Sequence, residues 1–404
     1  MADVVIAGGG LAAASTAESL REQGFDGSIE IITTENHLPY DRPPLSKEFL
    51  AGDMTAEELT LHDQAWYDEK SITVRQGVSA TGVDASARSV TLSDGGSLDY
   101  STLVLATGSQ PCRLDLEGAS LSGVLTLRSY EDSVALKEKL RSADGTNLVV
   151  VGGGWIGLEV GAHFRTAGAT VTVLEAGEQP LKAALGATMG EWFANFHRKH
   201  GVDVRTGAEV DGFTGAGGSV TGVRLARGET VPADLVLVGV GATPRVELAE
   251  DAGVEVDNGV IVDEHGRTSD EHIYATGDIA NYPDPVLGRL RVEHWAQALN
   301  HPKAVAAAIA GQSEPYDKAP FFYSDQFDLG MEYAGYGSAD DELVVRGSLD
   351  DAEYIAFWVR DGHVTAGMNV NVWDVNDEIQ RLIRDEVDVD ERLSDPKVPL
   401  TDLR

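Results

Sequence analysis

The chain opens on an apolar run, Val4-Val-Ile-Ala7, that enters a small-residue turn at Gly8-Gly-Gly10. It continues with helical spacing from about Ala12 to Glu22 and returns as the run Ser28-Ile-Glu-Ile-Ile-Thr33. A strand, a turn, a helix and a second strand within about 30 residues make a βαβ unit. The pattern recurs where Leu148-Val-Val-Val151 enters Gly152-Gly-Gly154, a helix follows, and Thr170-Val-Thr-Val-Leu-Glu175 closes on an acid. Between the copies, Ile72 to Ala80 reads as a strand, then the turn Ser93-Asp-Gly-Gly96, then the buried run Thr102-Leu-Val-Leu-Ala106. After the second copy, Ala187 to His200 reads as an amphipathic helix and Gly201 to Arg205 as a strand. Val236-Leu-Val238 ends in a glycine turn at Gly239 to Gly241, and Ile273-Tyr-Ala-Thr276 delivers Gly277 and Asp278 at a strand's C-terminal end. Past residue 319 the pattern becomes alternating, as in Phe321 to Phe327 and Glu353 to Val359, which predicts an antiparallel sheet with terminal helices. The acidic tail Arg384 to Glu391 reads as solvated surface.

The turns carry the candidate chemistry. Gly8, Gly10 and Ala13 stand in GxGxxA spacing, and Gly152, Gly154 and Gly157 in GxGxxG spacing. The first position serves the tight turn, the second lets backbone approach a pyrophosphate, and the third lets helix and strand pack closely. Ala12 and Ile156 fall in the first helical turns, where backbone N–H groups and the dipole favour a phosphate. Glu35 and Glu175 lie at or just past the second strands, where an acid accepts hydrogen bonds from a ribose. Two such sites imply two nucleotides, a flavin that stays and a nicotinamide that comes and goes. Ala176-Gly-Glu-Gln179 offers no arginine for a 2′-phosphate, so Glu175 favours NADH over NADPH. Gly241 leaves room for a flat ligand at the nicotinamide site. Arg42 suits a phosphate and Lys47 would place a cation near the flavin, although on spacing alone both read as surface cations.

Composition narrows the class. Apolar residues make up 42% and charged residues 24%, which fits an ordinary globular chain of two or three domains in 404 residues. No apolar run reaches the ~18 residues that a membrane span needs, and the chain enters a strand at Asp3. A cytoplasmic protein with no signal peptide is expected. The net charge of −35 argues against nucleic acid as a partner. The single cysteine, Cys112, excludes a disulfide framework or CxxC redox pair, and no metal site is expected.

With the glycine turn before it, Pro39-Tyr-Asp-Arg-Pro-Pro-Leu-Ser-Lys47 resembles the FAD-dependent ferredoxin reductases that serve Rieske oxygenases and cytochromes P450. The wider group takes in rubredoxin reductases, monodehydroascorbate reductases and apoptosis-inducing factor. Ala106-Thr-Gly108 matches the stretch at which that family's chain passes FAD, so Thr107 and Gly108 are expected at the cofactor. The resemblance also implies a backbone contact from Ala80 to the adenine, a contact from Arg128, and an Asp278 that accepts from the ribityl chain. Read without the family, Asp278 is a helix N-cap. Arg291 to Ala298 matches the helix start that points at the flavin, placing His294, Trp295 and Ala296 there. For Trp295 the alternative is plain core, and the site is the favoured reading. The family's paired lysine and glutamate match Lys47 and Glu159, and the pair is expected beside the flavin. Without the family, Glu159 is an acid in the first turn of a helix. Lys182 stands where the family often has an arginine for the adenylate, and Tyr323 where many oxygenase-linked members have a tryptophan over the flavin–nicotinamide stack.

The expected fold is therefore α/β: two Rossmann-like dinucleotide-binding domains, the second inserted in the first, plus an α+β C-terminal domain. The FAD domain is expected over 1–113 and 245–318, the NAD domain over 114–244, and the C-terminal domain over 319–404. The resemblance implies hydride transfer from NADH to FAD and single-electron transfer to a ferredoxin-type iron–sulfur carrier. Alternatives are a reductase for rubredoxin or monodehydroascorbate, and an NADH-sensing flavoprotein of the apoptosis-inducing-factor kind. The missing cysteine pair excludes a disulfide reductase. A single-cysteine peroxidase or oxidase is not expected, because Cys112 lies outside Pro43 to Leu50, where such relatives place theirs.

Overall fold

Each glycine turn joins the middle strand of a parallel sheet to the helix that covers it. The computed structural model describes residues 2–312 and 314–403. Contacts gather the chain into two compact units. The first comprises Met1–Arg42, Ala56–Gln110 and Thr243–Phe321; the second comprises Pro43–Thr55, Pro111–Ala242 and Phe322–Arg404.

In the first unit the parallel strands run in the order Ile72–Arg75, Ile29–Ile32, Ala2–Ala7, Ser97–Leu105, Ile273–Ala275. Val4 faces Ile29 and Ile29 faces Ile72, so apolar side chains stack in register across the sheet. Strands buried on both faces need such continuous apolar runs, which is why these segments scarcely alternate. The sheet continues antiparallel through Ser89–Leu92 and Ala80–Asp84. The single strand expected over 72–80 is thus two. The chain turns at Gly77 with φ of +69°, a conformation that cannot extend a strand, and re-enters the antiparallel ribbon at Ala80.

The second unit repeats the parallel order with Asp203–Thr206, Thr170–Glu175, Asn147–Val151, Leu235–Val238 and Val124–Leu125. A five-stranded sheet then runs Phe321–Gln326, Leu329–Gly335, His363–Val370, Glu353–Arg360, Glu342–Ser348, antiparallel from its second strand onward. The helix expected over 187–200 spans Lys182–Lys199 and bends at Gly186, where φ is +80°. The bend frees the carbonyl of Leu185 to accept from Trp358 Nε1 at 3.2 Å. Leu185, Met189, Phe193 and Phe196 are buried with Met331, Tyr354, Trp358 and Met368 in one apolar cluster.

Pro43–Thr55 groups with the second unit. Ser133 Oγ donates to the Leu45 carbonyl at 2.7 Å, and the Phe49 ring lies 5.2 Å from that of Tyr130. The acidic tail departs from a plain solvated surface. Its carboxylates are exposed, but Val387 is buried, and Val389 N–H donates to the Gly362 carbonyl at 2.9 Å. No helix among the described residues is long and apolar enough to cross a membrane.

Candidate functional sites in the two units

In the first unit, Gly8 has φ of +133°, and a Cβ there would stand 2.1 Å from the Ala106 carbonyl oxygen. Only glycine lets the turn lie against the end of the neighbouring strand. The helix Leu11–Glu22 starts from Gly10, whose N-cap position brings no side-chain acceptor to the first-turn N–H groups. Above Gly10 the space is open, with the Arg42 guanidinium the nearest group to a built Cβ, at 4.0 Å. A Cβ on Gly277 would stand 2.7 Å from that of Ala12, so the short turn Gly277–Ile279 abuts the helix start and carries Asp278 there. Asp278 is not the N-cap read from sequence. It lies inside that 3-10 turn, and Thr276 is the cap. An uncapped helix start, an open turn, Arg42 and a nearby carboxylate together suit a dinucleotide pyrophosphate with its polyol chain.

Glu35 and Arg42 come together, with Arg42 Nη2 2.9 Å from Glu35 Oε1 and Tyr40 Oη donating to Glu35 Oε2 at 2.5 Å. Arg42 is therefore not the solvated surface cation of the spacing argument. Thr107 Oγ1 donates to the Arg245 carbonyl at 2.7 Å, and the Gly108 carbonyl accepts from Arg245 N–H at 2.9 Å. His294 caps the helix Trp295–Ile309, and burial pushes its imidazole down to about 4 against the pull of Asp278. Trp295 is half-buried rather than plain core, and its indole N–H donates to Asp41 Oδ1 at 2.9 Å. Ala13 and Ala296 are buried, and Ala80 is half-buried at the start of its strand.

The second unit repeats the turn. Gly152 has φ of +102°, with a built Cβ 2.3 Å from the Gly239 carbonyl oxygen, and Gly154 is an N-cap without a side-chain acceptor. At Gly157 a Cβ would meet the Gly152 carbonyl at 2.7 Å and Val150 at 2.9 Å, which is the close helix–strand contact read from spacing. Ile156 is 44% exposed one residue into the helix, an apolar side chain left at the turn. Glu175 uses both carboxylate oxygens on backbone, accepting from Gly153 N–H at 2.8 Å and Gly177 N–H at 2.6 Å. Each oxygen keeps acceptor capacity for a ribose hydroxyl. Gly241, with φ of +101°, has open space where a Cβ would stand. Lys182 pairs with Glu178 on the surface, and Arg128 precedes the Ser129 cap of the helix Tyr130–Leu140.

The second unit also holds a buried polar cluster. Lys47 Nζ lies 2.8 Å from Glu159 Oε2, Ser46 Oγ donates to the same oxygen at 2.5 Å, and Ser324 Oγ donates to Oε1 at 2.6 Å. All four residues are buried, and Lys47 also lies 5.3 Å from the centre of the Tyr323 ring. Glu159 is thus neither exposed nor in the first helical turn, which contains no acid. Three donors converge on the two oxygens of one carboxylate, and a buried ammonium is tolerable only beside such a partner. Sequence reasoning gave Tyr40, Asp41 and Ser46 no role, although they lie inside the quoted motif. Ser324 and Gln326 did leave a signal, two polar residues at i and i+2 on one face of a strand that opens with three aromatics.

Residues 2–302 match the family described as pyridine nucleotide-disulphide oxidoreductase, and residues 321–404 match the reductase C-terminal family. The chain is 39% identical to rhodocoxin reductase of Rhodococcus erythropolis over 88% of this chain and 83% of that protein. It is 36% identical to putidaredoxin reductase CamA of Pseudomonas putida over 99% and 96% of the two chains. The crystal structure of the covalent putidaredoxin reductase–putidaredoxin complex is similar at a TM-score of 0.95 with 36% identity, covering 100% of this chain and 98% of that one.

Proposed function

The chain belongs to the pyridine nucleotide-disulphide oxidoreductase family, and from that premise we propose that it is an NADH-dependent FAD reductase that passes electrons to a ferredoxin-type iron–sulfur carrier of an oxygenase or cytochrome P450 system. One observation carries the reading: the same glycine turn, with the same strand order around it, occurs twice. The chain is also similar over nearly its whole length to a reductase solved in covalent complex with putidaredoxin. FAD, when bound, accepts the hydride of NADH and releases its two electrons singly, to two carrier molecules, with one proton set free.

The residues divide the work. Gly8, Gly10, Ala12, Ala13, Arg42, Asp278 and the helix that starts at His294 hold FAD, with Ala80, Thr107, Gly108, Arg128, Trp295 and Ala296 completing its contacts. Gly152, Gly154, Ile156, Gly157, Glu175 and Gly241 hold NADH, with Lys182 and Tyr323 as further contacts. We assign the FAD domain to 1–113 and 245–318, the NAD domain to 114–244, and the C-terminal domain to 319–404. Lys47 and Glu159 serve the hydride step as one buried ion pair, because hydride transfer depends on fixed charge and geometry more than on acid–base exchange. A cytoplasmic setting would supply the NADH.

The carrier faces a net charge of −35. Ferredoxins are typically acidic, so productive docking requires a local basic patch acting within a Debye length of about 8 Å. The test is stopped-flow reduction of the FAD-loaded protein by NADH, followed by mixing with ferredoxins, rubredoxin and monodehydroascorbate. Fast reduction with turnover only on ferredoxins supports the reading. Slow reduction that ends in a long-lived NAD charge-transfer complex overturns it in favour of a sensor.

A further inference from the structure

The buried cluster does not end at Ser324. Gln326 Nε2 donates to Ser324 Oγ at 3.0 Å, and His197 Nε2 lies 2.7 Å from Gln326 Oε1. Gln326 is 1% exposed and His197 fully buried. The direction of every bond in this chain is determined. Glu159 can only accept, so Ser324 gives it the hydroxyl hydrogen and must take Gln326 N–H on its oxygen. The Gln326 amide is then oriented with Oε1 outward, and His197 meets that oxygen as an Nε2–H donor. Nδ1 of the same imidazole has no partner, which suits a neutral ring. The ring is held edge-on to Phe327 and Phe196, with centroids 5.4 and 5.8 Å away.

Both residues fill interior space, but packing does not call for their polar groups. His197 sits on the apolar face of the helix Lys182–Lys199, beside Phe193 and Phe196, and Gln326 ends a strand that begins with three aromatics. A buried amide and imidazole are costly unless paired, and apolar residues of similar volume would fill both places without that demand. What the polar pair supplies is a relay of hydrogen bonds that ends, through the Ser324 hydroxyl, at one carboxylate oxygen.

We propose that His197 and Gln326 are positioning residues of the hydride step, acting through Ser324 to lock the Glu159 carboxylate and, with it, the ammonium of Lys47. The proposal rests on the reading that the Lys47–Glu159 pair serves hydride transfer. Oε2 is already shared between Lys47 and Ser46, so Oε1 is the oxygen whose partner sets the rotation of the carboxylate. Without the Gln326 donor, Ser324 can turn its hydroxyl elsewhere, and the carboxylate is then held through Oε2 alone, by Lys47 and Ser46.

The experiment uses the FAD-loaded full chain. Flavin reduction by NADH is followed in stopped flow, and the flavin midpoint potential is measured by dye equilibration, for Lys47→Met, Gln326→Leu, Ser324→Ala, His197→Phe and His197→Gln. Gln326→Leu and Ser324→Ala are each expected to slow reduction by about tenfold, the worth of roughly one hydrogen bond, and to move the potential in the direction that Lys47→Met moves it. His197→Phe should behave like Gln326→Leu. His197→Gln keeps a donor near the place of Nε2 and should stay within about threefold of the parent. In a Glu159→Gln background the Gln326→Leu effect should vanish, because its route to the chemistry is gone. If Lys47→Met slows reduction while Gln326→Leu and Ser324→Ala, both FAD-loaded, leave rate and potential unchanged, the positioning role is overturned and the reading of the pair survives. If Lys47→Met itself changes neither quantity, the reading of the pair falls and the positioning role falls with it.

Discussion

Glu175 Oε2 accepts the backbone N–H of Gly153 at 2.8 Å, so the acid that closes the second βαβ unit also holds the glycine turn that opens it. Its other oxygen holds Gly177 N–H at 2.6 Å. A carboxylate pinned at both ends cannot swing aside for a 2′-phosphate. Glu175→Gln removes the charge and turns one acceptor into a donor that faces a backbone N–H. The expected outcome is a fall in kcat/KM with NADH and a smaller preference for NADH over NADPH. Losing one charged hydrogen-bonding partner makes about 1.5–3 kcal/mol available, roughly a tenfold to hundredfold change in the ratio. Steady-state kinetics with both nucleotides check it, and an unchanged ratio removes Glu175 from nucleotide choice.

The ion pair of Lys47 and Glu159 makes a separate prediction about stability. Both are buried, so removing one partner leaves an uncompensated charge at a cost of about 3–5 kcal/mol, while removing both leaves none. Lys47→Met should therefore lower the urea midpoint more than the double variant Lys47→Met/Glu159→Gln does. Flavin reduction by NADH should remain slow in both. If the double variant is the less stable, the carboxylate has partners enough in Ser46 and Ser324 without the lysine.

What was legible in the sequence, and what was not, follows from distance along the chain. Gly8 and Gly152 announce themselves because a turn, a helix and a strand lie within one short segment, and that local order fixes both parallel sheets. Glu35 and Arg42 could be placed near a nucleotide, but not their ion pair, because it depends on how the six intervening positions turn. The cluster around Glu159 draws on Ser46, Ser324, Gln326 and His197, and its direct partner Ser324 is 165 positions away from the carboxylate. No periodicity reports such a meeting; only the polar residues on apolar faces hinted at it. The strand break at Gly77 is hard to read because β-branched residues stand on both sides of it, Ile72 to Val74 before and Val78 after.

Acid should weaken the fold through buried imidazoles. His197 and His301 are fully buried, and burial pushes each from the ordinary 6.5 down to about 4. Between those pH values the unfolded chain takes up a proton that the folded chain refuses, so stability rises with pH across the window and is lost as pH falls from 6.5 towards 4. Each group contributes up to about 3 kcal/mol of this loss. Carboxylate protonation relieves self-repulsion over the same range, so the check is a difference measurement. His197→Gln and His301→Gln should each flatten the dependence of urea stability on pH below 6.5, relative to the parent chain. A slope unchanged by either substitution would mean that the imidazole titrates normally in the folded state.

The glycines separate binding from folding. A Cβ on Gly152 would collide with the Gly239 carbonyl at 2.3 Å in a backbone conformation foreign to alanine, so Gly152→Ala should destabilise the second unit as well as weaken NADH binding. At Gly154 the backbone is ordinary, with φ of −83°, and the nearest group to a built Cβ is the Gly239 carbonyl at 3.9 Å. Gly154→Ala should therefore change stability by no more than about 1 kcal/mol, a modest effect at an N-cap. Yet it should raise the Kd for NADH by tenfold or more, about 1.4 kcal/mol, because the methyl group occupies the approach of the pyrophosphate. Gly10→Ala is the matching case for FAD, with only Arg42 at 4.0 Å from a built Cβ. It should give a folded chain that loses flavin on dilution. Urea titration paired with nucleotide titration distinguishes the two classes, and a Gly154→Ala chain that binds NADH as well as the parent would place the pyrophosphate elsewhere.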